Sequence, residues 1–140
     1  MINLMTNLFG QEHIDRYLAT DGQKGYYWNN ETTILVLFTT GRRTGTQRPN
    51  ALIYREFGKD FLVVASKGGS DDPPAWYLNL VADPRVEVQI KGDRFAARAR
   101  IATDEEKPAM WQHMLEVWPA YADYQSKTTR EIPVVVLERA

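Results

Sequence analysis

The chain has 140 residues, 44% hydrophobic and 25% charged, with a formal net charge of −1; this predicts one domain over residues 1–140 with a core that needs no staples. So balanced a charge excludes a general nucleic-acid binder, whose basic excess would be evident. The absence of cysteine excludes disulfides, thiolate catalysis and cysteine-ligated metal, and two distant histidines, His13 and His113, argue against a histidine metal site or a Ser-His-Asp triad.

Residues 1–31 read as an N-terminal helix with irregular flanks. The helix is expected over residues 11–20, where Ile14, Tyr17 and Leu18 share one face; Asp21-Gly22 ends it and Gly25 keeps the next piece irregular. Residues 33–40, TILVLFTT, are β-branched and apolar, the pattern of a strand buried on both faces. An arginine-rich loop leads to a second strand at 50–56, and the turn Phe57-Gly58-Lys59 to a third at 61–65. After a loop at 66–74, residues 75–82 should form a short helix stopped by Asp83-Pro84.

Residues 85–91 alternate, with Val86, Val88 and Ile90 on one face and Glu87 and Gln89 on the other. Across Gly92-Asp93, the second arm sends Phe95, Ala97, Ala99 and Ile101 inward and Arg94, Arg98 and Arg100 to a solvated face. The expected register pairs Ile90 with Phe95, Val88 with Ala97 and Glu87 with Arg98. Thr103 and Glu106 have capping-box spacing for a helix to about Val117. His113 should sit on its surface. Pro119 breaks that helix, and Trp118, Tyr121 and Tyr124 continue at spacing three on a second helical turn; residues 133–138 form the last strand. Mostly antiparallel strands with inserted helices define an α+β domain built on a small closed or split β-barrel.

Three loops carry the functional signal. Gly41 and Gly45 bracket Arg42, Arg43 and Thr44, and Arg48 follows, so guanidinium groups and backbone N–H donors surround one turn. Ser66-Lys67-Gly68-Gly69 supplies a hydroxyl, an ammonium and a pliant backbone at a strand exit. Pro74-Ala75-Trp76-Tyr77 opens a helix whose first N–H groups are free for a ligand. Together they suit an anionic, planar cofactor. Each has a plainer reading: a solvated basic turn, an ordinary strand exit, a core tryptophan and, for Trp118, Tyr121 and Tyr124, helix packing. The arginine turn is not a P-loop, because no Gly-Lys-Ser/Thr follows.

At TTGRRTG, RPNALIY, VVASKGG, PAWYLNLVADPRVEVQ and the late W-P-x-Y-x-x-Y segment, the chain resembles the deazaflavin (coenzyme F420)-dependent nitroreductases and quinone reductases of actinobacteria. The resemblance runs from about Thr33 to the C-terminus. It implies a split β-barrel of the flavin-reductase and pyridoxamine phosphate oxidase type, and hydride transfer from reduced F420 to a quinone, nitroaromatic or activated alkene. It also implies a cofactor site. Arg42, Arg43 and Thr44 would meet the phosphate and oligoglutamate tail. Arg48, Pro49, Asn50, Ala51, Leu52 and Ile53 would follow tail and ring. Val64, Ala65, Ser66 and Lys67 would contact ring and phosphate, and Ala75, Trp76, Tyr77, Leu78 and Asn79 would pack nearby. Trp118, Tyr121 and Tyr124 would frame the substrate.

Ser66 is the first choice of hydrogen-bond donor to the acceptor oxygen and Tyr121 the second; no metal is required. Asp71 and Asp72 depart from the pattern by placing acid near the anionic tail, although Asp72 could cap the next helix. A flavin mononucleotide (FMN) enzyme on a similar barrel and a non-catalytic deazaflavin carrier remain alternatives. The expected partner is a small-molecule electron acceptor; a homodimer and a peripheral membrane contact stay open. No apolar run reaches the ~20 residues that cross a bilayer and no leader pattern is evident, so the expected location is cytoplasmic.

Overall fold

The computed structural model describes residue 8 and residues 10–29 and 32–140; the remainder of the expected N-terminal lead-in lies outside them. Helix α1 (Gly10–Ala19) precedes a two-residue strand β1 (Tyr27–Trp28), which the sequence left irregular. There follow β2 (Thr32–Thr40), β3 (Gln47–Ile53), β4 (Arg55–Phe57), β5 (Asp60–Val64), α2 (Ala75–Ala82), β6 (Arg85–Ile90), β7 (Asp93–Ile101), α3 (Lys107–Leu115), α4 (Ala120–Ser126) and β8 (Val134–Arg139). Every strand pairing is antiparallel. The sheet runs β1-β2-β6-β7-β8-β5-β4, with β3 on the other edge of β2.

The expected strand at 50–56 is in fact two. The chain enters β3 at Gln47, so Arg48 and Pro49 belong to a strand, and it bends at Tyr54 before β4. Up to the bend it pairs with β2, Ile34 opposite Ile53 and Thr40 opposite Gln47; beyond it, Arg55 lies opposite Leu62 of β5. The two ends of the curled sheet are thus joined through one bent strand. Among the described residues the second edge of β3 has no ladder partner, a place where Pro49, lacking an N–H, is tolerated. Tyr54 is buried in the crook and shares a 2.8 Å hydrogen bond with the Tyr26 hydroxyl.

The main core fills the barrel with Leu35, Leu37, Val63, Val88, Val135 and Leu137, all fully buried. A second cluster packs Met110, Met114 and Tyr121 from α3 and α4 against Leu62, Val134 and Val136. A third sets Tyr17 of α1 on Ile34, Val36 and Phe38.

The β6–β7 hairpin differs from expectation in register. Ile90 pairs with Asp93, Val88 with Phe95 and Val86 with Ala97, two residues away from the charge-matched register. An even shift keeps the faces, so Phe95, Ala97 and Ala99 still point inward. The turn is Lys91-Gly92 with Lys91 at φ 54°, and the Tyr17 hydroxyl accepts its N–H at 2.7 Å. Glu87 pairs with Arg94 rather than Arg98. Gln89 is buried under α1, whereas Ile101, expected inside, is exposed at the strand end.

Arg100 is not simply solvated either. It pairs with Glu106 at 2.7 Å and with Glu138 at 3.0 Å. The reciprocal capping-box bonds form, Thr103 N–H to the Glu106 carboxylate at 3.0 Å and Glu106 N–H to Thr103 Oγ1 at 3.2 Å, but in the turn before α3, which begins at Lys107 and ends at Leu115 rather than near Val117. The Arg100 hydrogen bonds, helped by the Thr103 N–H, pull the Glu106 carboxyl down to about 2. His113 is half-buried, its Nε2 bonded to the Glu56 carbonyl at 2.8 Å. Asp72 caps nothing, because Pro74 occupies the N-cap of α2 and no side chain bonds there.

Candidate active site

A cleft of about 590 Å³ opens beside the free edge of β3. Its floor is Asn50, Ala51, Leu52 and Ile53, with Ile34 of β2 behind them. One wall is the strand exit Ser66, Lys67 and Gly68, joined by Pro74, Ala75 and Trp76 at the start of α2. Trp118, Tyr121 and Tyr124 line the cleft next to that exit, where Gly69 packs on the Tyr124 backbone, and Leu8, Gly10, His13, Ile14 and Trp28 close the end. The volume lies within the ~300–1,000 Å³ usual for small-molecule sites.

The structure therefore brings eleven of the expected residues together: Asn50, Ala51, Leu52, Ile53, Ser66, Lys67, Ala75, Trp76, Trp118, Tyr121 and Tyr124. Val64 and Ala65 are buried in the core instead, and Arg42, Arg43, Thr44, Arg48, Pro49, Tyr77, Leu78 and Asn79 lie outside the cleft lining. The arginine turn is nonetheless organised. Gly41 N–H donates to the Thr46 carbonyl and Gly45 N–H to the Gly41 carbonyl, both at 2.8 Å. Arg48 Nε lies 3.4 Å from where a Cβ on Gly41 would sit, so its guanidinium crosses the turn.

Asn79 is a buried strap. Its Oδ1 accepts both the backbone N–H (3.2 Å) and Nη1 (3.1 Å) of Arg42, while its amide donates to Thr39 Oγ1 at 3.1 Å. Asn79 thus ties α2 to the arginine turn; Arg43 and Arg48 remain exposed.

Two hydroxyls face the cleft unspent. Ser66 is 8% exposed and Tyr121 4% exposed, and neither hydroxyl makes a hydrogen bond among the described residues. Burial, reinforced by the neighbouring Tyr124, pushes the Tyr121 phenol up, so it is a neutral donor at any working pH. Since no buried side-chain polar atom lacks a partner among the described residues, both oxygens open onto the cleft and stay available to a ligand.

Ser66 has right-handed helical backbone angles, φ −85° and ψ −38°, and Lys67 and Gly68 follow at φ 46° and 63°. A right-handed residue followed by a left-handed one turns three successive N–H groups into a concave anion nest. Those of Ser66, Lys67 and Gly68 make no hydrogen bond among the described residues, and the Lys67 ammonium adds a full charge.

Sequence reasoning missed the end wall and one side chain behind the nest. His13 is buried, its ring nitrogens 3.2 Å from the Leu8 carbonyl oxygen and 2.7 Å from that of Gly25; a lone histidine in a polar helix gave no sign of this. Trp28 packs against Trp118 with ring centres 5.2 Å apart and planes tilted by 47°, joining distant segments of the chain by a contact that only packing reveals. Arg130, in the segment after α4, reaches back to the carbonyls of Ala65, Ser66 and Ser70.

The fold defines a split β-barrel, and its cleft sets an apolar floor beside an anion-binding loop. Weakly similar chains support the fold alone: a pyridoxamine 5'-phosphate oxidase-like protein of Listeria innocua (TM-score 0.53, 15% identity, 89% of this chain and 91% of that one) and an FAD-binding protein of Mesorhizobium loti (TM-score 0.55, 14% identity, 76% and 80%). Residues 9–139 match the F420H(2)-dependent quinone reductase family. The chain belongs to that family.

An F420H(2)-dependent quinone reductase of Mycobacterium tuberculosis is 40% identical over 126 residues, 88% of this chain and 85% of the relative. The solved F420-H2 dependent reductase FDR-A superposes with a TM-score of 0.70 at 39% identity, covering 75% of this chain and 93% of its own. A further chain, solved as a domain-swapped dimer, reaches a TM-score of 0.73 at 35% identity over 91% and 96%. The protein is accordingly an F420H2-dependent reductase with coenzyme F420 as its cofactor; the FMN alternative finds no support. The residues present fit that group: an apolar floor suits a planar ring, and the nest and Lys67 suit an anion.

Proposed function

We propose that this chain reduces a quinone at the expense of reduced F420, and that nitroaromatic and activated-alkene acceptors enter the same cleft. The observation that carries the reading is the pair of unpartnered hydroxyls, Ser66 and Tyr121, in one apolar cleft beside three free N–H groups and Lys67. When bound, F420 supplies the hydride.

The protein's share is positioning and charge. Asn50 to Ile53 and Trp76 hold a flat ring against the β3 edge, and Trp118 and Tyr124 exclude water over it. The Ser66 nest and Lys67 take the phosphate, while Arg42, Arg43, Thr44 and Arg48 take the tail beyond the cleft. Ser66 and Tyr121 donate hydrogen bonds to the acceptor oxygen as it becomes negative, which lowers the barrier without altering ground-state binding. A cytoplasmic homodimer acting on a small-molecule acceptor is the setting this reading assumes. A relative solved as a domain-swapped dimer supports the dimer, and no described helix is long and apolar enough to cross a membrane.

The test is a titration with oxidised F420, then steady-state oxidation of reduced F420 by menadione, a nitroaromatic and an activated alkene. Tight binding and turnover with menadione are expected. Tight binding without turnover on any acceptor would establish the carrier alternative instead.

A further inference from the structure

The loop of residues 65–70 is gripped from behind by one guanidinium. Arg130 Nε donates to the Ser70 carbonyl at 2.8 Å, Nη2 to the Ser66 carbonyl at 2.8 Å and Nη1 to the Ala65 carbonyl at 3.3 Å. Arg130 does not line the cleft, whereas Ser66, Lys67 and Gly68 do. In a planar trans peptide the C=O and N–H point in opposite directions. Holding the carbonyls of Ala65 and Ser66 on the outer side therefore aims the N–H groups of Ser66 and Lys67 towards the cleft.

Two other observations point the same way. Lys67 sits at φ 46°, a conformation a side chain disfavours, so it needs outside support. Arg130 also has no carboxylate in ion-pair reach among the described residues, unlike Arg55, Arg85, Arg94, Arg100 and Arg139. Its guanidinium is held by backbone carbonyls rather than by a directly paired carboxylate. The segment carrying it is itself anchored to α4: Gln125 Nε2 donates to the Arg130 carbonyl at 2.8 Å, and Gln125 Oε1 accepts Ile132 N–H at 2.9 Å. Gly69 completes the latch, since a Cβ there would lie 2.6 Å from the Tyr124 carbonyl oxygen.

We infer that Arg130 is a positioning residue for the anion site: it orients the Ser66 and Lys67 N–H groups towards the cofactor's phosphate and adds positive charge behind them. The inference rests on the F420 reading. Without Arg130, the 66–67 peptide is free to flip, presenting a carbonyl oxygen where a donor is needed. An acceptor facing phosphate repels it, so the loss would exceed that of one contact.

The experiment compares wild type, Arg130→Ala, Arg130→Lys and Arg130→Gln in titrations with F420 and with its phosphate-free riboside, alongside thermal melts without ligand. Arg130→Ala should weaken F420 binding tenfold or more while changing riboside affinity less than about threefold, as expected for a lost charge-assisted arrangement. Arg130→Lys, which keeps the charge but not the three-way grip, should fall between, and added guanidinium should partly restore Arg130→Ala. In wild type, inorganic phosphate should shift the Ser66, Lys67 and Gly68 amide resonances saturably, a measurement independent of any variant's folding.

Folded variants that bind F420 like wild type would overturn the inference. So would an equal loss for both ligands with a lowered melting temperature, or phosphate leaving those amides unmoved. Wild type that binds no F420 at all overturns the functional reading instead, and the two failures are distinct.

Discussion

In the proposed mechanism Ser66 and Tyr121 divide a single task by position. Ser66 stands at the strand exit, fixed by β5 behind it and by the left-handed Lys67 ahead, whereas Tyr121 stands on α4 with its ring against Trp111 and Tyr124. Ser66→Ala should reduce turnover of quinone and nitro acceptors by roughly tenfold or more, with F420 affinity within a few fold, because the lost donor acts on developing charge. Tyr121→Phe should affect acceptors unequally, since the phenol meets each one at a different angle. Steady-state kinetics on two acceptors decides it; wild-type turnover in Ser66→Ala with Tyr121→Phe inactive on all would reverse the assignment. A second residue-scale outcome concerns Asn79. Replacing it by alanine leaves Thr39 Oγ1 and the Arg42 N–H without their partner, at about 1–3 kcal/mol for buried groups. Urea unfolding should show that loss, and F420 affinity should fall with it, because the arginine turn loses its strap. The types of these residues were legible in the sequence. The partners of Asn79 were not, because they lie 37 and 40 residues away.

Elements were legible where periodicity and stop signals agree. Helix α2 spans Ala75–Ala82 as expected, bounded by Pro74 and Asp83-Pro84. The β6–β7 hairpin shows the limit: face alternation survives a two-residue slip, so the pattern fixes parity and leaves the register to the turn. That turn is chosen by a tertiary contact. The Tyr17 hydroxyl accepts Lys91 N–H at 2.7 Å and donates to the Ile34 carbonyl at 2.9 Å, stapling α1 to both the hairpin and β2. Tyr17→Phe should therefore cost about 1–3 kcal/mol. Burial raises the Tyr17 phenol to about 12, against the Lys91 N–H, which favours the ionised form. A raised folded value means folding favours the protonated form, so this stabilisation is whole below pH ~10 and is lost as pH climbs from there through 12. Tyr54 and Tyr121 are raised in the same sense. Urea unfolding at pH 8, 10 and 11 should show stability falling on the alkaline side, less steeply in Tyr17→Phe. Identical slopes would mean the staple does not titrate with folding.

At the scale of the molecule, the cleft is assembled from segments distant in sequence that also pack on one another, as the Gly69 turn does on Tyr124 and Trp28 on Trp118. The free β3 edge, the 66–68 exit, the start of α2 and the aromatic wall of α4 come from residues 50 to 124, and α1 with Trp28 closes the end from the N-terminal side. The sequence named most of the walls because each carries its own chemistry, and missed the end wall because His13, Ile14 and Trp28 acquire a role only by packing. A ligand that touches all these segments must couple to global unfolding, because it binds only when they are assembled. Free F420 at a hundredfold its dissociation constant should add about 2.7 kcal/mol of stability, equivalent to roughly 5–11 °C in melting temperature for a chain of this size. FMN at the same concentration should give a smaller shift, as it lacks the anionic tail that the exposed Arg43 and Arg48 would meet. Raising salt at fixed F420 should reduce the shift by screening those charges. Differential scanning fluorimetry with both cofactors at two ionic strengths makes the measurement. An FMN shift equal to or larger than that of F420, insensitive to salt, would show that the arginine turn takes no part in choosing the cofactor.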